Sequence, residues 1–268
     1  MSEFTEDQLQ RYSRHIILPE VGGKGQRKLL AAKVFIVGAG GLGCPVGYYL
    51  TAAGVGTIAI IDNDEVELSN LQRQIAHSVK TLGKPKVESA KNTFESLNPD
   101  VNIIALKQKI TKDNILDLIK DYDIIVDGSD NFPTRYLVND ACVMAKKPLV
   151  SGAILKFEGH VTTIIPGEGH CYRCLFEEMP PPGLVPSCQE AGVIGAIPGV
   201  VGSLQAIEVI KLILGKGDVL KNILLIYDAL KTTFRRIKVP KNPDCPVCGN
   251  TPTITELMDY ESGYCAVQ

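Results

Sequence analysis

Four cysteines fall into two pairs, Cys171-Tyr172-Arg173-Cys174 and Cys245-Pro246-Val247-Cys248, with 70 residues between the pairs. A two-residue gap lets both thiolates of a pair turn onto one ion. Two such knuckles make a tetrahedral all-cysteine site, the usual home of structural Zn2+. The alternatives are two disulfides or four unrelated thiols. Disulfides are disfavoured because residues 1–10 are polar and acidic and read as no secretory leader. With all four positions filled by thiolate, the expected role is structural: the ion clips the distal part of the chain back onto its middle.

A second constellation suits a nucleotide. Gly38-Ala39-Gly40-Gly41-Leu42-Gly43 has the G-x-G-x-x-G spacing, and Asp62 stands 19 residues after its last glycine. The glycines permit a tight turn and let phosphate oxygens approach backbone N–H groups at a helix start, while the carboxylate accepts from ribose hydroxyls. The motif alone favours NAD or FAD over ATP. Downstream residues shift the balance. Ser69-Asn70-Leu71-Gln72-Arg73-Gln74 forms a polar loop, Lys84-Pro85-Lys86 opens a helix, and Asp127-Gly128-Ser129-Asp130-Asn131 follows a strand. In a doubly wound sheet these segments converge beside the glycine turn. Arg73 and Lys86 can then neutralise phosphate charge and Asp130 can hold Mg2+. Taken singly, Lys86 reads as a solvated helix cation and Asp130 as a helix cap; taken together in one fold position, they favour the functional reading.

The elements that must position these groups alternate. Lys33–Val37 and Thr57–Ile61 are short, mostly apolar, β-branched runs typical of buried parallel strands; 101–106, 122–126 and a strand starting at 148–150 follow. Helices are expected from Gly43 to about Ala53, over Lys86–Leu97, 113–119 and 135–145, and at first over 8–18 before Pro19. The fold class is therefore α/β, a Rossmann-like, doubly wound, mostly parallel sheet. Runs 157–165, 223–227 and 234–239 extend it as antiparallel strands near the knuckles. The apolar stretch 193–214 carries Ser203, Gln205, Glu208 and Lys211, which favours a packed helix over a membrane span. The chain has 268 residues, is 45% hydrophobic, and has a formal net charge of −2, so no broad cationic face for nucleic acid is implied. Its eight cysteines without a leader suggest the reducing cytoplasm.

Arg11-Tyr12-Ser13-Arg14-His15-Ile16-Ile17-Leu18, the glycine turn, the 69–74 loop, Gly83-Lys84-Pro85-Lys86, Asp130-Asn131 and both cysteine pairs occur in an order that resembles the MoeB/ThiF/HesA family. These are prokaryotic relatives of ubiquitin-activating enzymes, and the likeness is greatest to the molybdopterin-synthase adenylyltransferase branch. It covers roughly residues 4–250. The resemblance implies one adenylyltransferase domain over 1–250: a helical arm (1–30), a nucleotide-binding half (31–150) and a carrier-binding, zinc-holding half (151–250), with a tail (251–268) expected to be peripheral.

The implied reaction uses Mg-ATP. The C-terminal Gly-Gly carboxylate of a ubiquitin-like sulfur-carrier protein attacks the α-phosphate, giving an acyl-adenylate and pyrophosphate. A separate donor then supplies sulfur for molybdopterin, thiamine or tRNA thiolation. By resemblance, Asp62 binds ribose and Gly41 approaches the phosphates. Asn70, Arg73 and Lys86 bind phosphate, with Ser69, Leu71, Gln72, Asn131 and Gly38, Gly40 and Gly43 lining the site, and Asp130 holds Mg2+. Arg14 resembles an arginine supplied across a homodimer, where a planar fork suits a phosphate whose charge is redistributing. Without the family, Arg11 and Arg14 read as a solvated helix face. Cys188 falls in a crossover loop after the Pro180–182 run, and is either a covalent acceptor for the carrier or a spectator thiol. The tail resembles the start of a linker to a rhodanese-like domain, so sulfur is expected from another protein. None of the four histidines is assigned a catalytic role. Two other classes compete: a nicotinamide-dependent oxidoreductase and a non-catalytic nucleotide-binding scaffold.

Overall fold

A computed structural model of the chain describes residues 4–181 and 191–260. The N-terminal arm carries α1 (Glu6–Arg11), closed by a Thr5–Gln8 capping box, then α2 (Ser13–Ile16) and α3 (Gly22–Ala31). The single helix expected over 8–18 is broken at Tyr12 (φ −98°, ψ 11°). The break lets the Tyr12 ring bury, and its hydroxyl accepts from Asn98 Nδ2 at 2.9 Å.

From there strands and helices alternate: β1 (Lys33–Val37), α4 (Gly43–Ala53), β2 (Thr57–Ile61), α5 (Lys86–Leu97), β3 (Asn102–Leu106), α6 (Ile115–Ile119), β4 (Ile124–Asp127), α7 (Phe132–Met144) and β5 (Leu149–Leu155). β6 (Glu158–Ile164), α8 (Tyr172–Leu175), α9 (Ala196–Leu214), β7 (Ile223–Asp228) and β8 (Thr233–Lys238) complete the described elements. The sheet has eight strands in the order β3-β2-β1-β4-β5-β6-β7-β8. Pairings from β3 to β5 are parallel and those from β5 to β8 antiparallel, the class expected from the alternation. α7 starts three residues earlier than its apolar pattern suggests, because the Asn131 side chain caps it by accepting from Thr134 N at 2.9 Å and Pro133 fits its first turn.

Burial on both faces explains the continuous apolar runs. In β1, Val34 and Ile36 point into a core shared with α4, α5 and α9, whereas Phe35 and Val37 point into a second core with α6 and α7. α9 is long and apolar enough to cross a membrane by composition, but half of it is buried against the rest of the chain. Its polar residues are placed inside: Gln205 donates to Asp127 O at 2.8 Å, and Glu208 accepts from Thr163 Oγ1 at 2.6 Å.

β1 neighbours both β2 and β4, so the chain winds away in opposite directions from this point. The crevice at the carboxyl ends of these strands is the ligand position in open α/β sheets.

Candidate nucleotide and metal sites

At the end of β1 the chain turns through Gly38 with φ +92°, a conformation that L side chains rarely adopt. A methyl group there would meet the Gly128 carbonyl oxygen at 3.0 Å, so the turn lies directly against the start of the 128–131 loop. At Gly43 a methyl group would overlap the Gly38 carbonyl. The turn can therefore close only with glycine at both ends, and it leads straight into α4.

Asp62, half-buried at the end of β2, accepts from Ala39 N at 2.8 Å with one carboxylate oxygen and from Asp64 N at 2.9 Å with the other. Both oxygens retain lone pairs for ribose hydroxyls. The 69–74 loop begins as a short helical turn, and Asn70 is buried with Oδ1 accepting from Glu67 N at 3.0 Å. Arg73 is laid against the glycine turn: a methyl group on Gly41 would stand 3.7 Å from its Cγ, and its guanidinium donates to Ser69 O at 3.0 Å. Gln72 donates to Val193 O at 3.5 Å, joining this loop to the segment before α9.

Lys86 departs from a solvated cation. Its side chain is only 9% exposed, and its ammonium pairs at 2.7 Å with Asp64, whose side chain is 59% exposed. The ammonium is thus turned back toward the end of β2, near Asp62. Asp130 is exposed two residues past Gly128 and has no hydrogen bond or ion pair among the described residues. Its neighbour Asn131 spends its side-chain oxygen on the α7 cap, so only its amide N–H groups remain to reach a ligand.

The structure adds residues that spacing did not reveal. Asp127, 1% exposed, accepts from Ser129 N at 3.0 Å and from the Ser129 hydroxyl at 2.6 Å. Arg135 is buried beneath the same loop and donates to Ser129 O and, at 2.7 Å, to Gly152 O. Together they brace the loop that presents Asp130. A charged residue on the inner face of α7 was the one sequence signal for Arg135.

Arg14 stands apart from this site in its own chain. The adjoining Tyr12 packs on Gly54 and Asn98, which close the C-terminal ends of α4 and α5. The glycine turn and Lys86 lie at the other ends of these helices, and the 11 residues of α4 alone span ~16 Å. The Arg14 side chain is exposed and has no partner among the described residues. Cys188 lies outside the described residues.

The four knuckle cysteines converge. Their Sγ atoms all lie within 4.8 Å of one another, with Cys171–Cys245 at 3.6 Å and Cys174–Cys248 at 3.4 Å. These separations are far beyond a disulfide bond, whereas Zn–S bonds of about 2.3 Å set tetrahedral S···S edges of ~3.8 Å. Asn242 N donates to Cys174 Sγ at 3.4 Å, and hydrogen bonding from Cys171 draws the Cys174 thiol pKa down. Donor set and spacing both fit one zinc ion.

Between the first two cysteines, Arg173 is buried against Asp140 of α7, with Nε and a terminal nitrogen donating at 2.9 and 2.8 Å. Its guanidinium also stacks over Tyr136 at 4.6 Å. Tyr260 donates to Asp140 at 2.9 Å; burial, then Asp140, push its hydroxyl up to about 12, so it stays protonated. The 251–260 segment is largely exposed, yet Tyr260 and the Lys112 N–Asp259 bond of 2.8 Å pin it down. Arg173→Met is expected to destabilise the protein by about 3–5 kcal/mol, because it strands a buried carboxylate. Adding Asp140→Leu should recover most of that loss in urea unfolding; a double variant no better than the single would remove the ion-pair explanation.

With this geometry in place, comparison with known proteins is direct. Residues 12–247 match the ThiF family. The chain is 51% identical over 270 residues to a sulfur carrier protein adenylyltransferase of Thermus thermophilus, covering 99% of each. It is 52% identical over 261 residues to the SAMP-activating enzyme E1 of Haloferax volcanii, covering 97% of this chain and 96% of that one. Its fold superposes on the crystal structure of Escherichia coli MccB with ATP at a TM-score of 0.75 and 27% identity, covering 89% of this chain and 73% of that one. A family match across nearly the whole chain, and identity above one half with proteins of equal length, lead to one conclusion: the chain belongs to the ThiF family.

Proposed function

We propose that this protein is an ATP-dependent adenylyltransferase that activates the C-terminal Gly-Gly carboxylate of a ubiquitin-like sulfur-carrier protein. One observation carries the reading. A glycine turn with its ribose-binding carboxylate has Arg73 laid on Gly41 and Lys86 held by Asp64 at the same crevice mouth. A hydride-transfer site needs a pyrophosphate cradle and a nicotinamide pocket, and has no use for two cations and a free carboxylate here.

In the reaction the carrier's carboxylate oxygen forms a bond to the α-phosphorus of ATP, and the bond to the bridging oxygen of pyrophosphate breaks. A carboxylate is ionised at neutral pH, so no general base is required. Catalysis rests on positioning and charge stabilisation. The turn N–H groups hold phosphate, Arg73 and Lys86 offset its charge, Asp62 fixes the ribose, and Asp130 is the carboxylate assigned to Mg2+. Zn2+ in the four-thiol cluster has a structural role.

Arg14 supports a homodimer. It is exposed, without a partner among the described residues, and at the far end of α4 from its own site, which suits an arginine supplied to another copy. Exposed Ile17, Leu18, Tyr49, Ile75 and Val79 on the arm, α4 and the loop after β2 supply apolar surface for that contact. The free buried thiols Cys44 and Cys142 suit a reducing, cytoplasmic setting. The activated carrier then takes sulfur from a separate donor protein, for molybdopterin, thiamine or tRNA thiolation.

The test is intact-mass analysis of Gly-Gly-ended carriers incubated with the protein, ATP and Mg2+. An AMP adduct on the carrier, absent when its last glycine is deleted, is expected. A carrier that stays unmodified while the protein binds NADH would overturn the reading.

A further inference from the structure

Behind the glycine turn sits a buried imidazole that the adenylation chemistry does not use. His77 is 8% exposed, and its Nε2 lies 2.9 Å from the Ala39 carbonyl oxygen. That oxygen can only accept, so Nε2 carries the proton. Burial pushes the His77 pKa down, which keeps the ring neutral and leaves Nδ1 as an acceptor. Ser89 Oγ stands 3.0 Å from Nδ1 and also 3.0 Å from Thr81 Oγ1, so its one hydroxyl proton is shared between these two acceptors. Ser89 is 1% exposed on α5, three residues after Lys86 and on the same helical face.

We propose that His77 is a positioning residue for nucleotide binding: it aims the Gly40 N–H into the crevice and sets the glycine turn in register with Lys86. The argument rests on the planarity of the peptide. The Ala39 C=O and the Gly40 N–H belong to one trans unit and point in opposite directions. Holding the carbonyl inward on the imidazole therefore turns the N–H outward, where a phosphate oxygen can accept from it. On the other side of Ala39, its own N–H is tied to Asp62 at 2.8 Å. Among the described residues the other donor on the Ala39 carbonyl is the Cys44 thiol at 3.4 Å, a weak one. A single ring thus spans from the phosphate turn to the helix that carries the phosphate cation.

This inference rests on the crevice being an ATP site, and the test keeps the two claims apart. ATP affinity is measured by calorimetry and carrier affinity in parallel, for the wild type, His77→Phe and His77→Gln. Phenylalanine fills the volume without an N–H, whereas glutamine returns a donor near the Nε2 position. His77→Phe is expected to weaken ATP binding by about tenfold or more, the scale of one lost buried hydrogen bond. Carrier affinity should stay unchanged, and His77→Gln should recover to within about threefold of wild type. Should His77→Phe fail to fold, Ser89→Ala decides, with a loss of about threefold or more expected. Unchanged ATP affinity in the folded variants, whatever their melting temperature, would leave His77 a packing residue and overturn the proposal. A wild type that binds no ATP would instead overturn the adenylation reading and this inference with it.

Discussion

Replacing Cys171 and Cys245 together by alanine is expected to empty the four-thiol cluster and unfold the half of the chain that it closes. These two sulfurs are buried 3.6 Å apart, one from each knuckle, so the double variant leaves each knuckle a single thiolate. A structural zinc contributes on the order of 10 kcal/mol or more, as much as the whole stability of a typical domain, ~5–15 kcal/mol. The segment between the knuckles includes α9, β7 and β8, so loss of the ion frees a long loop as well as its anchor. Elemental analysis should fall from about one zinc per chain to none, and the cooperative unfolding transition should weaken or split. Removing zinc from the wild type with a chelator must reproduce the loss, which separates the metal from the two missing side chains. Full stability in a metal-free wild type would refute the clip.

Lys86→Ala is expected to slow adenylate formation by about 10²–10³-fold, the scale of losing one preorganised charge at a reacting phosphate. Its stability cost should be small. The ammonium is the buried member of the pair and Asp64 the exposed one, so truncating the lysine leaves a carboxylate already in water. Exposed ion pairs are worth only ~0–1 kcal/mol. Asp64→Ala reverses the balance, because it strands a buried ammonium and should destabilise more than Lys86→Ala does. Adenylation rates and urea midpoints for both variants separate the two effects. Wild-type adenylation by Lys86→Ala would remove this lysine from the phosphate site.

The sequence shows the parts of the fold that obey local rules. Lys33–Val37, Thr57–Ile61 and Lys86–Leu97 have the ends expected of them, because glycine, aspartate or proline bounds each apolar run. The two C-x-x-C pairs announced their own convergence, since thiolates with that gap share one chemistry. The helix break at Tyr12 was not legible: local spacing continues through it, and only the distant Asn98 and Gly54 give the ring its place. The same holds for the site. Glycine turn, Asp62, Arg73, Lys86 and Asp130 could be chosen by type and order, but nothing local foretold that Asp64 would bury Lys86. Nor could spacing foretell that His77 and Ser89 would join turn to helix, or that Arg135 would brace the Asp130 loop. These are pairings across the tertiary fold, formed by side chains that are individually commonplace.

The central claim is that this crevice activates a carrier's terminal carboxylate with ATP. Carrier-dependent exchange of labelled pyrophosphate into ATP tests it most directly, because only reversible formation of an acyl-adenylate moves the label. Rapid exchange is expected with a Gly-Gly-ended carrier and magnesium, none when the last glycine is deleted, and exchange slowed by about 10²–10³-fold when Lys86 is alanine. Absence of exchange with each Gly-Gly carrier tried, alongside tight binding of NADH in the same crevice, would contradict the account.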